Sequence, residues 1–273
     1  MTENPFSFDD KRAMVVGGAS GIGAATADVL SQLGADVVVL DIQPVQGSAR
    51  SIAIDLTDKA SIERAVDECT GPIHALASCA GVADGTPGLP TINLIGQRHL
   101  IELVVARELM PRGSAITMVS SAAGRGWEAS LPALHEYLDT ATFEAAVKWI
   151  GDHPEMSDYL HSKQAVCAYV ARQAFHFGRL GIRINALMPG PTDTPLAQAN
   201  KDLWLGFGAD YRGETGIAPS TPLEQAYPLV FLGSDAAVAI TGITLISDAG
   251  YMSSGITGAF PDATAIANLL LNR

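Results

Sequence analysis

The chain has 273 residues, 48% of them hydrophobic, which is enough to bury one full α/β core; its net charge of −12 argues against nucleic acid or an anionic membrane surface as a partner. No apolar run approaches a membrane span, and residues Met1 to Asp10 are acidic without a signal-peptide pattern, so a cytoplasmic location is expected. Cys69, Cys79 and Cys167 lack metal or redox spacing and read as small buried side chains, and the six histidines form no H-x-x-x-H pair, so no metal site is expected.

Taken in chain order, apolar runs predict strands near residues 12–17, 35–41, 51–55, 73–79, 114–120, 181–187 and 242–248, with helices filling the gaps. Strand and helix signals alternate without a linker. That pattern predicts a single α/β domain over residues 1–273, a doubly wound parallel sheet of about seven strands with its ligand crevice at their carboxyl ends.

The first strand, Arg12 to Val16, runs into Gly17-Gly18-Ala19-Ser20-Gly21-Ile22-Gly23, and a helix is expected from Gly21 to Leu33. Glycines let a backbone turn tightly and approach a pyrophosphate, while the helix start offers free N–H groups and a positive dipole end. The spacing is G-x-x-x-G-x-G, which differs from the common G-x-G-x-x-G fingerprint. The second strand, Ala35 to Leu40, ends in Asp41. A carboxylate there accepts hydrogen bonds from ribose 2'- and 3'-hydroxyls and repels a 2'-phosphate. With no arginine beside it and no basic residue in the turn, NAD is expected rather than NADP.

Further along, Tyr159-Leu160-His161-Ser162-Lys163 places a phenol and an ammonium four residues apart, on one face of a helix. An ammonium stabilises a phenolate, so the pair is expected to lower the tyrosine pKa toward the working pH of a general acid-base catalyst. Ser157 is the expected N-cap, with Asp158 in the first turn.

Together these residues resemble the short-chain dehydrogenase/reductase family over nearly the whole chain, and the resemblance implies a Rossmann fold. The glycine turn matches the family's T-G-x-x-x-G-x-G with Val16 in place of the threonine. Ser78-Cys79-Ala80-Gly81 stands where many members have N-N-A-G, so the asparagines that brace the central sheet are missing. Asp55 sits where the family places an adenine-contacting aspartate. Asn93 resembles the asparagine that kinks the next helix and holds a relay water, Ser121 matches the catalytic serine, and Asn185 to Thr192 resembles the segment that closes over the nicotinamide. The resemblance implies a catalytic set of Asn93, Ser121, Tyr159 and Lys163. It implies NAD contacts from Gly17, Ser20, Gly21, Ile22, Gly23, Asp41, Ile42, Asp55, Leu56, Cys79, Ala80, Gly81, Tyr159, Lys163, Pro189, Gly190, Thr192 and Thr194.

Within the family, the runs Gly21 to Thr26, Ser78 to Gly81 and Pro189 to Leu196 are similar to the bacterial 3α-hydroxysteroid dehydrogenase/carbonyl reductases. The implied activity is alcohol–ketone interconversion on a hydrophobic alicyclic, steroid-like molecule. Other alcohol classes (terpenoid, dihydrodiol, sugar) and a non-catalytic dinucleotide-binding regulator are the alternatives. A homodimer or homotetramer is expected.

Two segments depart from the common pattern. Between Ser121 and Tyr159 the chain is roughly two dozen residues longer than the family norm. Leu131, Leu134 and Leu138, then Phe143, Val147 and Ile150, recur at helical spacing, predicting a helical insert over about 125–155. It either roofs the pocket, covers the Tyr159 helix where relatives assemble, or simply packs on the surface. Residues from about 194 to 216 carry Leu196, Leu203, Trp204, Leu205, Phe207 and Tyr211 and read as a substrate lid, with a packed helix pair as the alternative. In the tail, Ile266, Leu269 and Leu270 are expected to reach a neighbouring subunit.

Overall fold

The computed structural model describes residues 4–45 and 50–271. Seven strands, β1 (Arg12–Val16), β2 (Asp36–Asp41), β3 (Arg50–Ala53), β4 (Ala75–Ser78), β5 (Ala115–Val119), β6 (Arg183–Pro189) and β7 (Thr244–Ser247), form one sheet in the order β3-β2-β1-β4-β5-β6-β7. Every pairing is parallel. Parallel neighbours need crossover helices, which cover both faces, and this is why β4 and β5 are buried throughout and read as continuous apolar runs.

The helices are α1 (Gly21–Gln32), α2 (Lys59–Glu68), α3 (Gly96–Ala106), α4 (Leu131–Leu138), α5 (Phe143–Asp152), α6 (Tyr159–Leu180), α7 (Pro195–Ala199), α8 (Lys201–Trp204), α9 (Ala209–Thr215), α10 (Pro222–Gly233), α11 (Tyr251–Thr257) and α12 (Thr264–Leu270). Val15, Leu30 and Leu229 belong to the core under α1 and α10. On the opposite face Met14, Ile62, Leu100 and Val166 join a larger core under α2, α3 and α6. Strand order reverses direction between β1 and β4, which opens the crevice at the carboxyl ends.

The insert is helical, as its periodicity predicts, but its buried face is set differently. On α5 the buried residue is Ala146, and Val147 is 41% exposed. Leu134, Tyr137 and Leu138 of α4 sink into the larger core, where Tyr137 stacks on Trp149 with ring centroids 5.0 Å apart. Polar ties hold the rim: Lys59 Nζ to Glu144 Oε1 at 2.9 Å, Arg98 to the Thr140 carbonyl at 2.7 Å, and Arg172 to Asp139. The Lys59 hydrogen bond holds the Glu144 carboxyl down at about 2.

The insert accounts for an unusual property of α6. Every residue from Ser162 to Val170 is buried, so this first half of the helix is enclosed on the sheet side and on its outer side as well, while Phe175 and Leu180 farther along are exposed. Of the alternatives open from the sequence, covering the Tyr159 helix is the arrangement present. Among the described residues, none between Trp127 and Ser157 lines the large cavity.

The start of α6 differs from expectation by one residue. Asp158 has the extended backbone of an N-cap, and its carboxylate accepts from His161 N–H at 2.8 Å. Ser157 lies in the α region at the end of a 3-10 turn and donates its hydroxyl to the Pro154 carbonyl at 2.6 Å, so it faces away from the helix.

Candidate active site

A cavity of about 600 Å³ runs along the carboxyl ends of the strands. At one end the glycine turn leaves β1 with Gly17 at φ +80°, a value that favours glycine, and a Cβ there would sit 2.4 Å from the Ala80 nitrogen. A Cβ on Gly23 would meet the Gly17 carbonyl at 2.0 Å, so α1 can start close against the turn only because position 23 has none. Ser20 is the N-cap of α1 but makes no side-chain cap hydrogen bond. The first turn of α1 therefore lacks a side-chain cap while Ser20, Gly21, Ile22 and Gly23 line the cavity, an arrangement that suits pyrophosphate binding.

Asp41 closes β2 and lines the cavity, and it has a second task that the sequence does not reveal. Its Oδ2 accepts from Ala19 N–H at 2.9 Å and its Oδ1 from Gln43 N–H at 2.8 Å, so the carboxylate braces the glycine turn. Ile42, 64% exposed, Asp55 and Leu56 continue the wall. One oxygen of Asp55 is tied into its own turn by Thr57 N–H at 2.8 Å and the Thr57 hydroxyl at 2.7 Å. Cys79, Ala80, Gly81, Pro189 and Gly190 line the middle, and Cys79 is half-buried there rather than enclosed like Cys69 and Cys167. Thr192 and Thr194 also face the cavity, but their hydroxyls are engaged: Thr192 donates to the Gly190 carbonyl at 3.0 Å, and Thr194 accepts from Ala197 N–H at 3.1 Å as the N-cap of α7. A Cβ on Gly21 would lie 3.4 Å from Thr194 Cγ2, so this segment folds down onto the glycine turn.

At the far end β5 delivers Ser121, in extended backbone, and α6 delivers Tyr159 and Lys163. Lys163 is 3% exposed and its Nζ donates to the Val119 carbonyl at 3.1 Å. That Nζ lies 5.5 Å from the centroid of the Tyr159 ring. The pKa relation is not the one expected from the spacing. Burial pushes Tyr159 up to about 12; Ser121 draws it down and the Asp84 carboxylate raises it further. Burial lowers Lys163 to about 8. Burial is the main cause for both groups, so sharing a helical face does not by itself give a low tyrosine pKa.

Asn93 lies in a π-helical turn, Thr91–Ile95, which leads into α3. Its Oδ1 accepts from Val82 N–H at 2.8 Å, and its Nδ2 donates to the Val82 carbonyl at 3.1 Å and Ser162 Oγ at 3.0 Å. Ser162 in turn donates to the Tyr159 carbonyl at 2.7 Å, so Asn93 is linked to the start of α6.

Three contributors escaped sequence reasoning. Gln97, one turn after Asn93, pairs with Ser78 Oγ at 2.6 Å and donates to the carbonyls of Ala80, Ile92 and Asn93 at 2.8 to 3.0 Å. Ser78 and Gln97 thus supply bracing where the family pattern has asparagines; a buried glutamine at i+4 from Asn93 was the available signal. Asp84, an aspartate in an ordinary-looking turn, accepts from Tyr159 N–H at 2.8 Å. The tail is the third. Ile266 and Leu270 line the cavity of their own chain rather than projecting to a neighbour, while Leu269 is 69% exposed. They join an aromatic cluster with residues of the 194–216 segment: Phe207 and Tyr211 pack edge-on against Tyr251 at 5.1 and 5.5 Å, and Tyr211 also meets Phe260 at 5.2 Å.

Among the described residues no group of three or more histidine, cysteine or acidic side chains is placed to hold a metal ion, and no helix is long and apolar enough to cross a membrane. The glycine cradle, the free N–H groups of α1 and the acidic end of β2 fit a dinucleotide.

Comparison with known proteins agrees with this geometry. The family model described as short chain dehydrogenase matches residues 11–133, and one described as enoyl-(acyl carrier protein) reductase matches residues 140–252. The chain is 30% identical to a coniferyl-alcohol dehydrogenase of a Pseudomonas strain, covering 90% of this chain and 98% of that protein. It is 29% identical, with the same coverage, to a cis-4-hydroxycyclohexanecarboxylate dehydrogenase of Sinomonas cyclohexanicum. Among solved structures, the 3-alpha-hydroxysteroid dehydrogenase from Pseudomonas sp. B-0831 complexed with NADH superposes with a TM-score of 0.73 at 28% identity, covering 92% of this chain and 99% of that one. With the glycine turn, Ser121, Tyr159 and Lys163 on one crevice of a seven-stranded parallel sheet, the chain belongs to the short-chain dehydrogenase/reductase family of oxidoreductases.

Proposed function

We propose that the chain interconverts a secondary alcohol and a ketone on a hydrophobic alicyclic, steroid-like substrate, using NAD. The observation that carries this reading is the placement of Ser121, Tyr159 and Lys163 along one cavity whose opposite end is the glycine turn and Asp41. When bound, the nicotinamide supplies the hydride acceptor or donor. The protein's own residues handle the proton and the geometry. Ser121 Oγ orients the substrate oxygen toward Tyr159 Oη, which takes the alcohol proton in oxidation or gives it in reduction. Lys163 brings positive charge to the site that stabilises the phenolate as it forms, and Asn93 fixes the helix start that carries Tyr159.

The alicyclic preference is supported by the apolar wall of Leu196, Leu203, Trp204, Phe207, Ile266 and Leu270, and by the ring scaffolds in the names of relatives, a hydroxycyclohexanecarboxylate and a hydroxysteroid. Asp41 supports NAD, since its fixed carboxylate repels a 2'-phosphate. Three free cysteines favour a reducing, cytoplasmic setting, and a homodimer or homotetramer completes the proposal.

The test is NADH formation across steroid, terpene, alicyclic and sugar alcohols, with Tyr159→Phe as control. The variant should bind NADH nearly normally and lose turnover by at least about a hundredfold. Retained turnover would end this mechanism. Equal or better use of NADP would overturn the reading of Asp41, whereas the wild type preferring NAD, with the gap narrowed in Asp41→Ala, would support it.

A further inference from the structure

We infer that the substrate half of the cavity takes an uncharged alicyclic alcohol and rejects a carboxylated one, an inference that rests on the dehydrogenase reading above. The walls around Tyr159 are largely apolar, with Ala122, Leu203, Trp204 and Ile266 among them, and besides the buried Lys163 the charged groups that interrupt them nearby are the carboxylates of Asp84 and Asp158. Both are held in place. Asp84 Oδ1 accepts from Tyr159 N–H at 2.8 Å, and Asp158 Oδ1 accepts from His161 N–H at 2.8 Å and sits 2.8 Å from His161 Nδ1. Asp41 and Asp55 add negative charge at the other end.

Lys163 is the one lysine or arginine among the described residues that line this cavity, and its Nζ is engaged by the Val119 carbonyl. Arg125, four residues past Ser121, has a buried Nε without a hydrogen-bond partner but does not line the cavity. Lys163 keeps its charge but is 3% exposed, so an anion brought up to Tyr159 would exchange its hydration for apolar walls and fixed like charges with no exposed countercharge. An uncharged ring with one hydroxyl meets neither cost, and the walls suit it.

The closest experimental pair shares a ring and a hydroxyl and differs by one charge: cis-4-hydroxycyclohexanecarboxamide and cis-4-hydroxycyclohexanecarboxylate. Turnover is read as NADH formation, and binding as quenching of tryptophan fluorescence by the non-reacting cyclohexanecarboxamide and cyclohexanecarboxylate. At low salt the amides should be favoured by at least about tenfold in kcat/KM and in Kd. The ratio should shrink in Asp84→Asn and further in Asp84→Asn/Asp158→Asn, because asparagine keeps the acceptor oxygen and the N-cap while removing the charge. Comparing ratios cancels any change in Tyr159 that affects both substrates. Should the double variant fold poorly, the wild-type ratio must still fall as ionic strength rises from about 0.01 to 1 M.

Equal or tighter binding of the carboxylate, or binding of neither probe, overturns the inference. A persistent binding ratio with no oxidation of any alcohol instead sinks the dehydrogenase reading and leaves the charge selection standing.

Discussion

The ring of Trp204 lies 4.8 Å from the ring of Tyr159 at an interplanar angle of 42°. The short helix that carries it, α8, therefore rests on Tyr159, and the proposed alicyclic substrate would pass beneath or beside the indole to reach the phenol. Trp204→Ala should raise KM for a cyclohexanol-type substrate by about tenfold, the scale of one buried aromatic contact, and change kcat less. A small acyclic alcohol such as 2-propanol, too short to reach the indole, should be nearly indifferent. Unchanged KM for the ring substrate would remove Trp204 from the pocket's working surface.

Burial and Asp84 both hold the Tyr159 proton, raising its pKa to about 12, while Ser121 opposes them. Alcohol oxidation needs that proton to leave the substrate by way of the phenolate, so kcat/KM for oxidation should climb from about pH 7, and less steeply above about pH 8, where Lys163 loses the charge that stabilises the phenolate. Asp84→Asn removes a negative charge that favours the protonated phenol. Its pKa then falls, and the rising limb should move to lower pH while the Tyr159 N–H keeps an acceptor. The groups facing the phenol are Ser121, Lys163 and Asp84, so a limb that moves upward or not at all would show that Asp84 acts only as a helix cap.

Much of this site was readable in the residues because each part is local: a glycine turn follows one strand, Asp41 ends the next, and Tyr159 and Lys163 share one helical face. The missed parts depend on contacts between distant segments. Nothing near Ser78 says that Gln97 will reach it, and the tail's inward turn depends on Gly126, whose absent Cβ would fall 1.8 Å from the Leu270 carbonyl. The pKa relation of Tyr159 and Lys163 was misjudged for the same reason, since spacing gives proximity but not burial.

Gln97 tests that point directly. Its side chain is 1% exposed, and its amide serves three carbonyls while its oxygen meets Ser78. Gln97→Leu, similar in volume, leaves those buried acceptors unpaired and should cost about 2–3 kcal/mol in urea unfolding, with lost turnover from a displaced Asn93. Gln97→Glu should recover part of the packing but none of the donors. A leucine variant of wild-type stability would mean that the π-helical turn holds Asn93 without this brace.

The insert bears on assembly. Because the insert, through α4, covers the first half of α6, residues Ser162 to Val170 have no apolar face left to pair with their own copy, whereas farther along the helix Phe175 is 73% and Leu180 48% exposed. A cluster of exposed apolar residues lies off α6: Tyr227 of α10 is 55% exposed, Leu223 43%, and Ile243, just before the edge strand β7, 40%. A two-fold contact through α10 and β7 would bring such residues together in isologous fashion. The expected assembly is a dimer or tetramer through that side, with Tyr227→Arg shifting mass toward monomer in light scattering and Val147→Arg on the insert leaving it unchanged. Insensitivity to Tyr227→Arg combined with dissociation by Val147→Arg would place the interface on the insert. A structure with the Ser162–Val170 stretch of α6 packed against its symmetry mate would require the insert to lift away, exposing Leu134, Tyr137 and Leu138, all under 5% exposed here. Uncovering that much apolar surface would cost several kcal/mol per subunit, which is why the α10 side is the expected contact.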